Sequence, residues 1–334
     1  MKIFITGGAG FIGSNLAHYY LSRGFETVVY DNLSRPGAEK NLAWLKGNHP
    51  KLVFHKSDIR SFEKLKKAAK GSTIIYHMAS QVAVTKSFQD PRTDFEINAL
   101  GTLNVLEAVR TQKNPPIVIY ASTNKVYGGM KEISLREKAL RYEYKDKKLA
   151  NGIDEHFHLD FHSPYGCSKG AGGQYTHDYA RIYGLKTIVF RQSCIYGNRQ
   201  FGNEDQGWVA HFARKALKRR QITIYGDGKQ VRDLLYIEDL IDCYLKAIKN
   251  IKKTSGEIYN VGGGTSFSTS LLELIALLEK KLDKKIKIRF RDWRPGDQKV
   301  YISDVSKTKK DFGWEPKTSV SKGLEKLLAW LHSI

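Results

Sequence analysis

The chain opens with a glycine turn set directly between a short apolar strand and a helix. Residues 2–5 are predicted to form the strand, and the helix begins at about Ser14. Glycines at positions 7, 8, 10 and 13 satisfy both G-x-G-x-x-G and G-x-x-G-x-x-G. Such a turn brings a diphosphate close to bare backbone, and the helix N-terminus offers it unpaired N–H groups. We therefore expect a dinucleotide-binding domain, with the cofactor on Gly7, Gly10, Phe11, Ile12 and Gly13.

A carboxylate follows the second predicted strand, which spans residues 25–30. Asp31 stands at its end, about 20 positions beyond the glycine turn. A carboxylate there accepts hydrogen bonds from an adenosine ribose and repels a 2′-phosphate. The cofactor is accordingly expected to be NAD and not NADP.

The charge balance is strongly basic, with 55 Lys and Arg against 34 Asp and Glu, for a net charge of +21. One interpretation is a nucleic-acid partner. The others are a lysine-rich solvated surface and a field that attracts small anionic ligands. The lysines are scattered along the whole chain, and no finger or RNP pattern accompanies them. We therefore expect no nucleic-acid partner.

The three cysteines, at positions 167, 194 and 243, form no C-x-x-C pair and no disulfide framework. This usage is typical of a reducing compartment, and no metal site is expected. Met1 leads straight into the first strand, which leaves no room for a signal peptide. No apolar run approaches the length of a membrane span. The expected site of action is the cytoplasm, away from any membrane.

Strand and helix patterns alternate through the first half of the chain. Beyond those already named, strands are predicted at residues 52–54, 73–76, 117–121 and 185–190. This alternation predicts an α/β fold with a doubly wound parallel (Rossmann) sheet. We expect an NAD-binding domain over residues 1–190 and a smaller α/β substrate lobe over 191–334, with the chain crossing between them.

Four further segments carry structural predictions. Residues 91–112 read as one long helix, and residues 258–261 read as a strand of the second lobe. A helix is expected over residues 268–281. Residues 129–160 break the alternation and are charged and aromatic-rich, which is typical of an active-site loop.

Tyr165 and Lys169 form the second chemical signature. Positions i and i+4 share one face of a helix, so the phenol and the ammonium point into the same space. A nearby cation favours the phenolate, which provides a base near neutral pH. A Y-x-x-x-K pair also occurs by accident on helix surfaces, and only its combination with the glycine turn and Asp31 makes it specific.

Taken together, these motifs resemble the extended short-chain dehydrogenase/reductase family of nucleotide-sugar enzymes. The resemblance covers nearly the whole chain. Longer strings narrow it to the epimerases that act at C2 of a CDP-hexose. These strings are Phe95-Glu-Ile-Asn98, Ser122-Thr-Asn-Lys-Val-Tyr-Gly128, residues 159–170, residues 190–197 and residues 199–209.

The resemblance implies roles for individual residues. Tyr165 is the base, Lys169 holds the ribose and lowers the tyrosine pKa, and Thr123 binds the sugar hydroxyl. Further cofactor residues are Asn32, Asp58, Ile59, Ala79, Asn98 and Ser122. Substrate residues are Asn124, Gln192, Arg199, Gln206, Arg232 and Arg294.

Two of these assignments have structural alternatives. Asp58 stands where the adenine amino group lies in the family, but it is equally an N-terminal helix cap. Arg232 and Arg294 match diphosphate-binding positions, and a guanidinium fork suits that role. Each of the two could instead form a surface ion pair.

One position separates this chain from the dehydratases that resemble it. Sugar-nucleotide 4,6-dehydratases carry an acidic pair directly after the threonine, where an acid expels the 6-hydroxyl as water. This chain has Asn124 and Lys125 there, and neither is a carboxylic acid. Dehydration is therefore not expected.

The resulting hypothesis is an epimerase that uses tightly bound NAD, inverts C2 through a transient 2-keto sugar and assembles as a homodimer or homotetramer. A UDP-sugar 4-epimerase with the same machinery is the alternative. A second alternative is a non-catalytic NAD-binding scaffold that associates with RNA.

Overall fold

A computed structural model describes residues 1–294 and 296–334. The strands are β1 Lys2–Thr6, β2 Glu26–Asp31, β3 Val53–Lys56, β4 Ile74–His77, β5 Ile117–Thr123, β6 Leu135–Glu137, β7 Tyr142–Tyr144, β8 Thr187–Gln192, β9 Ile195–Tyr196, β10 Ile222–Tyr225, β11 Val231–Asp233, β12 Leu235–Tyr236, β13 Glu257–Val261, β14 Ser268–Ser270, β15 Ile288–Arg291 and β16 Val300–Tyr301.

The α-helices are α1 Phe11–Leu21, α2 Ala38–Asn48, α3 Phe62–Ala69, α4 Val84–Gln89, α5 Pro91–Phe95, α6 Gly101–Arg110, α7 Pro164–Tyr183, α8 Trp208–Leu217, α9 Ile237–Lys249, α10 Ile251–Thr254, α11 Leu271–Leu282, α12 Ser306–Phe312 and α13 Val320–His332. A π-helical segment spans Glu96–Leu100, and 3₁₀ turns span Asn124–Tyr127, Lys147–Leu149 and Thr265–Phe267.

Seven strands form one sheet in the order β13-β8-β5-β4-β1-β2-β3. Each neighbouring pair is parallel. The winding reverses between β1 and β4, and in open α/β sheets ligands bind outside the carboxyl ends of the strands at this point. The predicted doubly wound parallel sheet is confirmed.

Both faces of the sheet are covered, which explains why its central strands read as continuous apolar runs. On one face Ile3 and Ile5 of β1 pack with Leu16 of α1 and with C-terminal helices. On the other face Phe4 of β1 packs in a cluster with Leu106 of α6. This burial holds the strand ends, and the loops that follow them, in fixed positions.

The strand over residues 258–261 corrects one expectation, because it belongs to the main sheet and not to the second lobe. β13 pairs with β8 from Glu257 opposite Ile188 to Val261 opposite Gln192. The free edge of β8 offers a full ladder of hydrogen bonds, and pairing there buries Tyr259 and Val261 completely. The division at residues 1–190 and 191–334 stays a prediction.

The rest of the second half builds small sheets beside the main one. β11 pairs with β14 and β16, β10 with β15, and β12 with β9. The helix expected from residue 268 begins three residues later, because residues 268–270 form β14. Ser270 and Glu273 then form a capping box that starts α11.

Residues 129–160 were predicted to form an active-site loop, and the structure gives that prediction no support. This stretch, which the structure describes throughout, lines no part of the large cleft introduced below. Its β6–β7 hairpin packs on the small sheet, and the backbone N–H of Tyr142 donates to the carbonyl of Lys229 at 3.0 Å. Tyr142 and Tyr144 pack in a small apolar cluster with Val231 and Val300, which accounts for the aromatic composition.

The single helix predicted over residues 91–112 is divided into α5, the π segment and α6. The π segment contains Asn98, whose carbonyl accepts from Thr102 Oγ1 at 2.6 Å. An extra residue in a helical turn is a feature found often at functional sites. Here it lies beside the loop that follows β4.

Among the described residues, no helix is long and apolar enough to cross a membrane. Within the same ranges, no group of three His, Cys, Asp or Glu side chains is placed to hold a metal ion. Cys167, Cys194 and Cys243 are free thiols.

Candidate active site

The glycine turn has the shape that a dinucleotide diphosphate requires. Gly7 has φ 64°, and a Cβ there would lie 2.6 Å from the backbone N of Ala79. A Cβ on Gly13 would overlap the carbonyl oxygen of Gly7. A Cβ on Gly10 would meet only that same oxygen, at 3.1 Å, and would otherwise project into open space. The residues present therefore fit a bound dinucleotide.

The N-terminus of α1 adds to this fit. Gly10 is its N-cap, and within the described chain no side chain caps the helix. Phe11 and Ile12, the first helical residues, line the large cleft. Free N–H groups and the positive dipole end there favour phosphate.

Asp31 closes the turn from the end of β2. Its carboxylate accepts from the N–H groups of Ala9 at 3.0 Å and Leu33 at 2.8 Å. Burial raises the pKa of Asp31, while the backbone hydrogen bonds act to lower it. The carboxylate is thus positioned beside the turn, where its predicted ribose contact requires it.

Asp58 is not the N-cap of α3, since Ser61 holds that position. Burial acts to raise the pKa of Asp58, but hydrogen bonds from Arg60 and Asn32 lower it to about 2. Asn32 Nδ2 donates to Asp58 at 2.8 Å. These two predicted cofactor residues therefore contact each other just beyond the ends of β2 and β3. The contact of Asp58 with the adenine stays a prediction.

Asn98 supports the loop after β4 instead of facing the cleft. Its side-chain oxygen accepts from Ser80 Oγ at 2.7 Å and from the Gln81 N–H at 3.0 Å. Its nitrogen donates to the Gln81 carbonyl at 2.9 Å. Asn98 is only 1% exposed, and it holds Ser80, which lines the cleft.

Ile59 and Ala79 have supporting positions too. Ile59 is buried, and a Cβ on Gly101 would lie 2.9 Å from its side chain. The N–H of Ala79 donates to Thr6 Oγ1 at 3.2 Å. Ala79 thereby holds the strand end against Gly7.

Thr123, Tyr165 and Lys169 come together in one cleft of about 370 Å³. Thr123 ends β5, while the other two lie on α7, which packs against that strand. The helix starts here because Ser163 Oγ accepts from the Gly166 N–H at 2.9 Å. Tyr165 and Lys169 are both buried, so they are not an accidental pair on a helix surface.

The cleft environment changes the expected acid–base balance. Burial raises the pKa of Tyr165 to about 12, with the Thr123 hydrogen bond and Arg35 acting to lower it. Burial lowers the pKa of Lys169 to about 7. The Lys169 ammonium lies 4.3 Å from the centre of the Tyr120 ring. The sequence expectation of a phenolate stabilised by Lys169 is therefore not met by the groups of the chain itself.

The opposite wall of the cleft carries two arginines, each beside a carboxylate. Arg232 Nη2 contacts Asp297 Oδ1 at 2.6 Å, and the Arg232 side chain is 8% exposed. Arg294 lies 3.9 Å over the Tyr225 ring and donates to the Glu204 carbonyl at 3.0 Å. Both predicted arginines line the cleft, so neither is a simple surface ion pair.

The remaining predicted residues divide into two groups. Ser122, Asn124, Gln192 and Gln206 line the same cleft. Arg199, a described residue, does not, and its predicted substrate contact has no support in the geometry. Its backbone is left-handed at φ 70°, and its guanidinium stacks 3.8 Å over Trp44.

Several cleft residues escape sequence reasoning. Cys194 and Trp208 line the cleft beside residues that were predicted, and so does Lys125, which the sequence singled out only for its lack of a carboxyl group. Asp297 and His211 reach it from positions far along the chain. Asp297 lies three positions after Arg294 in the sequence. Its closeness to a predicted substrate residue could have indicated that it reaches the cleft.

Comparison with known proteins is consistent with this geometry. Residues 4–327 match the family model described as GDP-mannose 4,6 dehydratase. CDP-paratose 2-epimerase of Salmonella typhi is 46% identical over an alignment that covers 100% of both chains.

Two solved structures are similar to this chain over nearly its full length. UDP-glucuronic acid 4-epimerase from Bacillus cereus, in complex with UDP-glucuronic acid and NAD, has a TM-score of 0.85 and 29% identity, covering 100% of this chain and 99% of that one. UDP-glucose 4-epimerase of Thermus thermophilus, in complex with NAD, has a TM-score of 0.83 and 30% identity, with 99% of each chain covered.

Proposed function

The chain belongs to the GDP-mannose 4,6 dehydratase family of extended short-chain dehydrogenases/reductases, and from this premise we propose that it is an NAD-dependent epimerase of a CDP-hexose. The reaction inverts C2 through a transient 2-keto sugar, as from CDP-paratose to CDP-tyvelose. One observation carries the proposal. A single cleft is lined by Ile12 at the dinucleotide turn, by Thr123 and Tyr165, and by Arg232.

The cofactor end of this cleft belongs to the glycine turn, Asp31 and Lys169. Bound NAD⁺ supplies a hydride acceptor that becomes the hydride donor of the return step. Asp31 binds the adenosine ribose and Lys169 the ribose near the reaction centre. The turn holds the diphosphate against the N-terminus of α1.

Tyr165 moves the proton at the reacting sugar hydroxyl. In the forward step the phenolate form of Tyr165 removes that proton and becomes the phenol, and in the return step the phenol gives the proton back to the carbonyl oxygen. Thr123, which hydrogen-bonds Tyr165, orients the hydroxyl. Because burial raises the pKa of Tyr165 to about 12, the protonated phenol is favoured in the chain alone, and the forward step would need the positive charge of a bound oxidised nicotinamide to favour the phenolate.

The chain has no carboxylic acid at the two positions where the dehydratases carry one. Asn124 and Lys125 follow Thr123, and both side chains contact Gln298 Oε1, at 3.4 Å and 3.3 Å. Neither can act as a carboxylic acid toward a 6-hydroxyl. The family name therefore describes the fold of this chain better than its chemistry.

The substrate end binds the nucleoside diphosphate. Arg232 and Arg294 are the ligands of the diphosphate, because guanidinium forks match phosphate geometry. Asn124, Gln192 and Gln206 bind the sugar through hydrogen bonds.

A panel of CDP- and UDP-sugars, followed by NMR of the products, tests the proposal. We expect a C2 epimer from a CDP-3,6-dideoxyhexose with no added cofactor. Conversion of UDP-glucose at C4 instead would establish the UDP-sugar 4-epimerase. No turnover of any sugar, together with steeply salt-dependent RNA binding, would favour the RNA-associated scaffold.

The cellular setting and the assembly are part of the proposal. We place the reaction in the cytoplasm, in keeping with the free thiols at Cys167, Cys194 and Cys243. We expect a homodimer or homotetramer, to be measured by light scattering on the purified protein.

A further inference from the structure

Lys125 is a partly buried cation in the cleft to which neither NAD binding nor proton transfer gives a role. It lies two residues after Thr123, in the 3₁₀ turn Asn124–Tyr127. Its ammonium is 3.3 Å from Gln298 Oε1 and 3.8 Å from Asp297 Oδ1. Its side chain is 22% exposed and lines the cleft.

The charges around Lys125 do not balance within the chain. Asp297 Oδ1 also accepts from Arg232 Nη2 at 2.6 Å. Immediately around Lys125, one carboxylate therefore serves two cations, because the other carboxylates of this wall, Glu204 and Asp205, lie beside Arg294. A cation withdrawn from water is costly unless an anion meets it, which makes this place suited to an anionic ligand.

We propose that Lys125 binds the sugar-bearing phosphate of the nucleoside diphosphate sugar. The placement follows from its neighbours, since Thr123 faces the sugar hydroxyl and Arg232 the diphosphate. Lys125 lies between them, at the junction of the two parts of the substrate. The inference rests on the proposed nucleotide-sugar function and adds a residue to it.

A lysine suits this junction for a physical reason. The ammonium is a point charge on a flexible stem, so it follows a phosphate through changes of angle that a bidentate guanidinium would resist. An epimerase has to present both faces of the keto-sugar while the nucleotide stays bound. Lys125 keeps the phosphate held during that reorientation. Burial lowers the pKa of Lys125 to about 8, so a phosphate would restore its charge.

Binding of CDP and CMP to the NAD-loaded protein, measured by calorimetry, tests the inference without turnover. CDP carries the phosphate in question and CMP does not. We expect Lys125→Met to weaken CDP at least about tenfold while CMP changes less than about twofold. Lys125→Arg should retain CDP affinity to within about threefold. Lys309→Met, at an exposed pair with Glu315, is the matched control and should change neither ligand.

The experiment distinguishes failure of the Lys125 proposal from failure of the proposed function. Unchanged CDP affinity in Lys125→Met, or equal losses for CDP and CMP, would overturn the role of Lys125. Failure of the wild-type protein to bind either nucleotide would instead count against the proposed function itself. Should Lys125→Met not fold, Lys125→Gln gives the same comparison, because its amide can still contact Gln298. Retained NAD and an unchanged melting temperature show that a variant is folded.

Discussion

The carboxylate of Asp31 accepts a hydrogen bond at 3.0 Å from the backbone N–H of Ala9, inside the glycine turn. This contact joins the end of β2 to the turn that follows β1, across 22 positions of sequence. The two features that predicted a dinucleotide from the sequence are therefore one connected site. The carboxylate shapes the turn, and its contact with the ribose stays a prediction.

Replacing Asp31 by alanine should remove NAD from the protein. We expect Asp31→Ala to weaken NAD about 10- to 100-fold, since a hydrogen bond to a charged group contributes about 1.5–3 kcal/mol. The measurement is the NAD(H) released per chain after heat denaturation. Asp178→Ala, at an exposed pair with Arg181 on α7, is the control. Full retention of NAD by Asp31→Ala would contradict the assignment.

Replacing Tyr165 by phenylalanine should stop turnover while leaving NAD bound. Loss of a proton-transferring group lowers rates by about 10²–10⁴-fold, so turnover should fall at least about a hundredfold. Epimer formation followed by NMR and the NAD content report the two effects separately. Tyr175→Phe, an exposed tyrosine on the same helix, should behave as wild type. Near-normal turnover in Tyr165→Phe would exclude it as the base.

The affinity for CDP should fall as the pH rises above about 8. Burial lowers the pKa of Lys125 to about 8, with Arg232 also acting to lower it and Asp297 acting to raise it. The protonated ammonium attracts phosphate, so binding is favoured below this pKa and is lost above it, by about tenfold per unit at most. Calorimetry from pH 7 to 9 measures the slope. Lys125→Arg should show a flat profile, and an identical slope in that variant would assign the titration elsewhere.

Asp233 should stabilise the fold without taking part in the chemistry. It is fully buried and accepts from Ser193 Oγ at 2.5 Å, the Ser303 N–H at 3.0 Å and the Gly264 N–H at 3.3 Å. Asp233→Ala leaves these donors unpaired and should cost about 3 kcal/mol of unfolding free energy. Denaturant titration measures it. Asp233→Asn keeps an acceptor and should cost less; equal costs would argue against lost hydrogen bonds as the cause.

Much of the candidate site could be predicted from the spacing of residues that are close in sequence. The glycine turn, Asp31 and the Tyr165–Lys169 pair are read from residues close together in sequence, where strand and helix geometry dictates direction. The alternation of apolar strands with helices predicted the parallel sheet correctly. These features depend on backbone periodicity, which the sequence displays directly.

Partners distant in sequence were beyond such reasoning. Lys125 and Gln298 are 173 positions apart, and their contact exists only because the chain near Gln298 folds back to the end of β5. Arg199 was predicted at the substrate and instead stacks on Trp44. A side chain goes where packing and a partner are most favourable, and neither is visible in a local pattern.

The α/β class, the glycine turn and the pairing of Tyr165 with Lys169 could all be inferred from the amino-acid sequence, since each depends on short-range geometry. The folded chain was needed to show that β13 completes the main sheet and that residues 129–160 pack away from the cleft. It was needed equally for the pKa values of Tyr165 and Lys169, because burial depends on the whole fold and moves them in opposite directions.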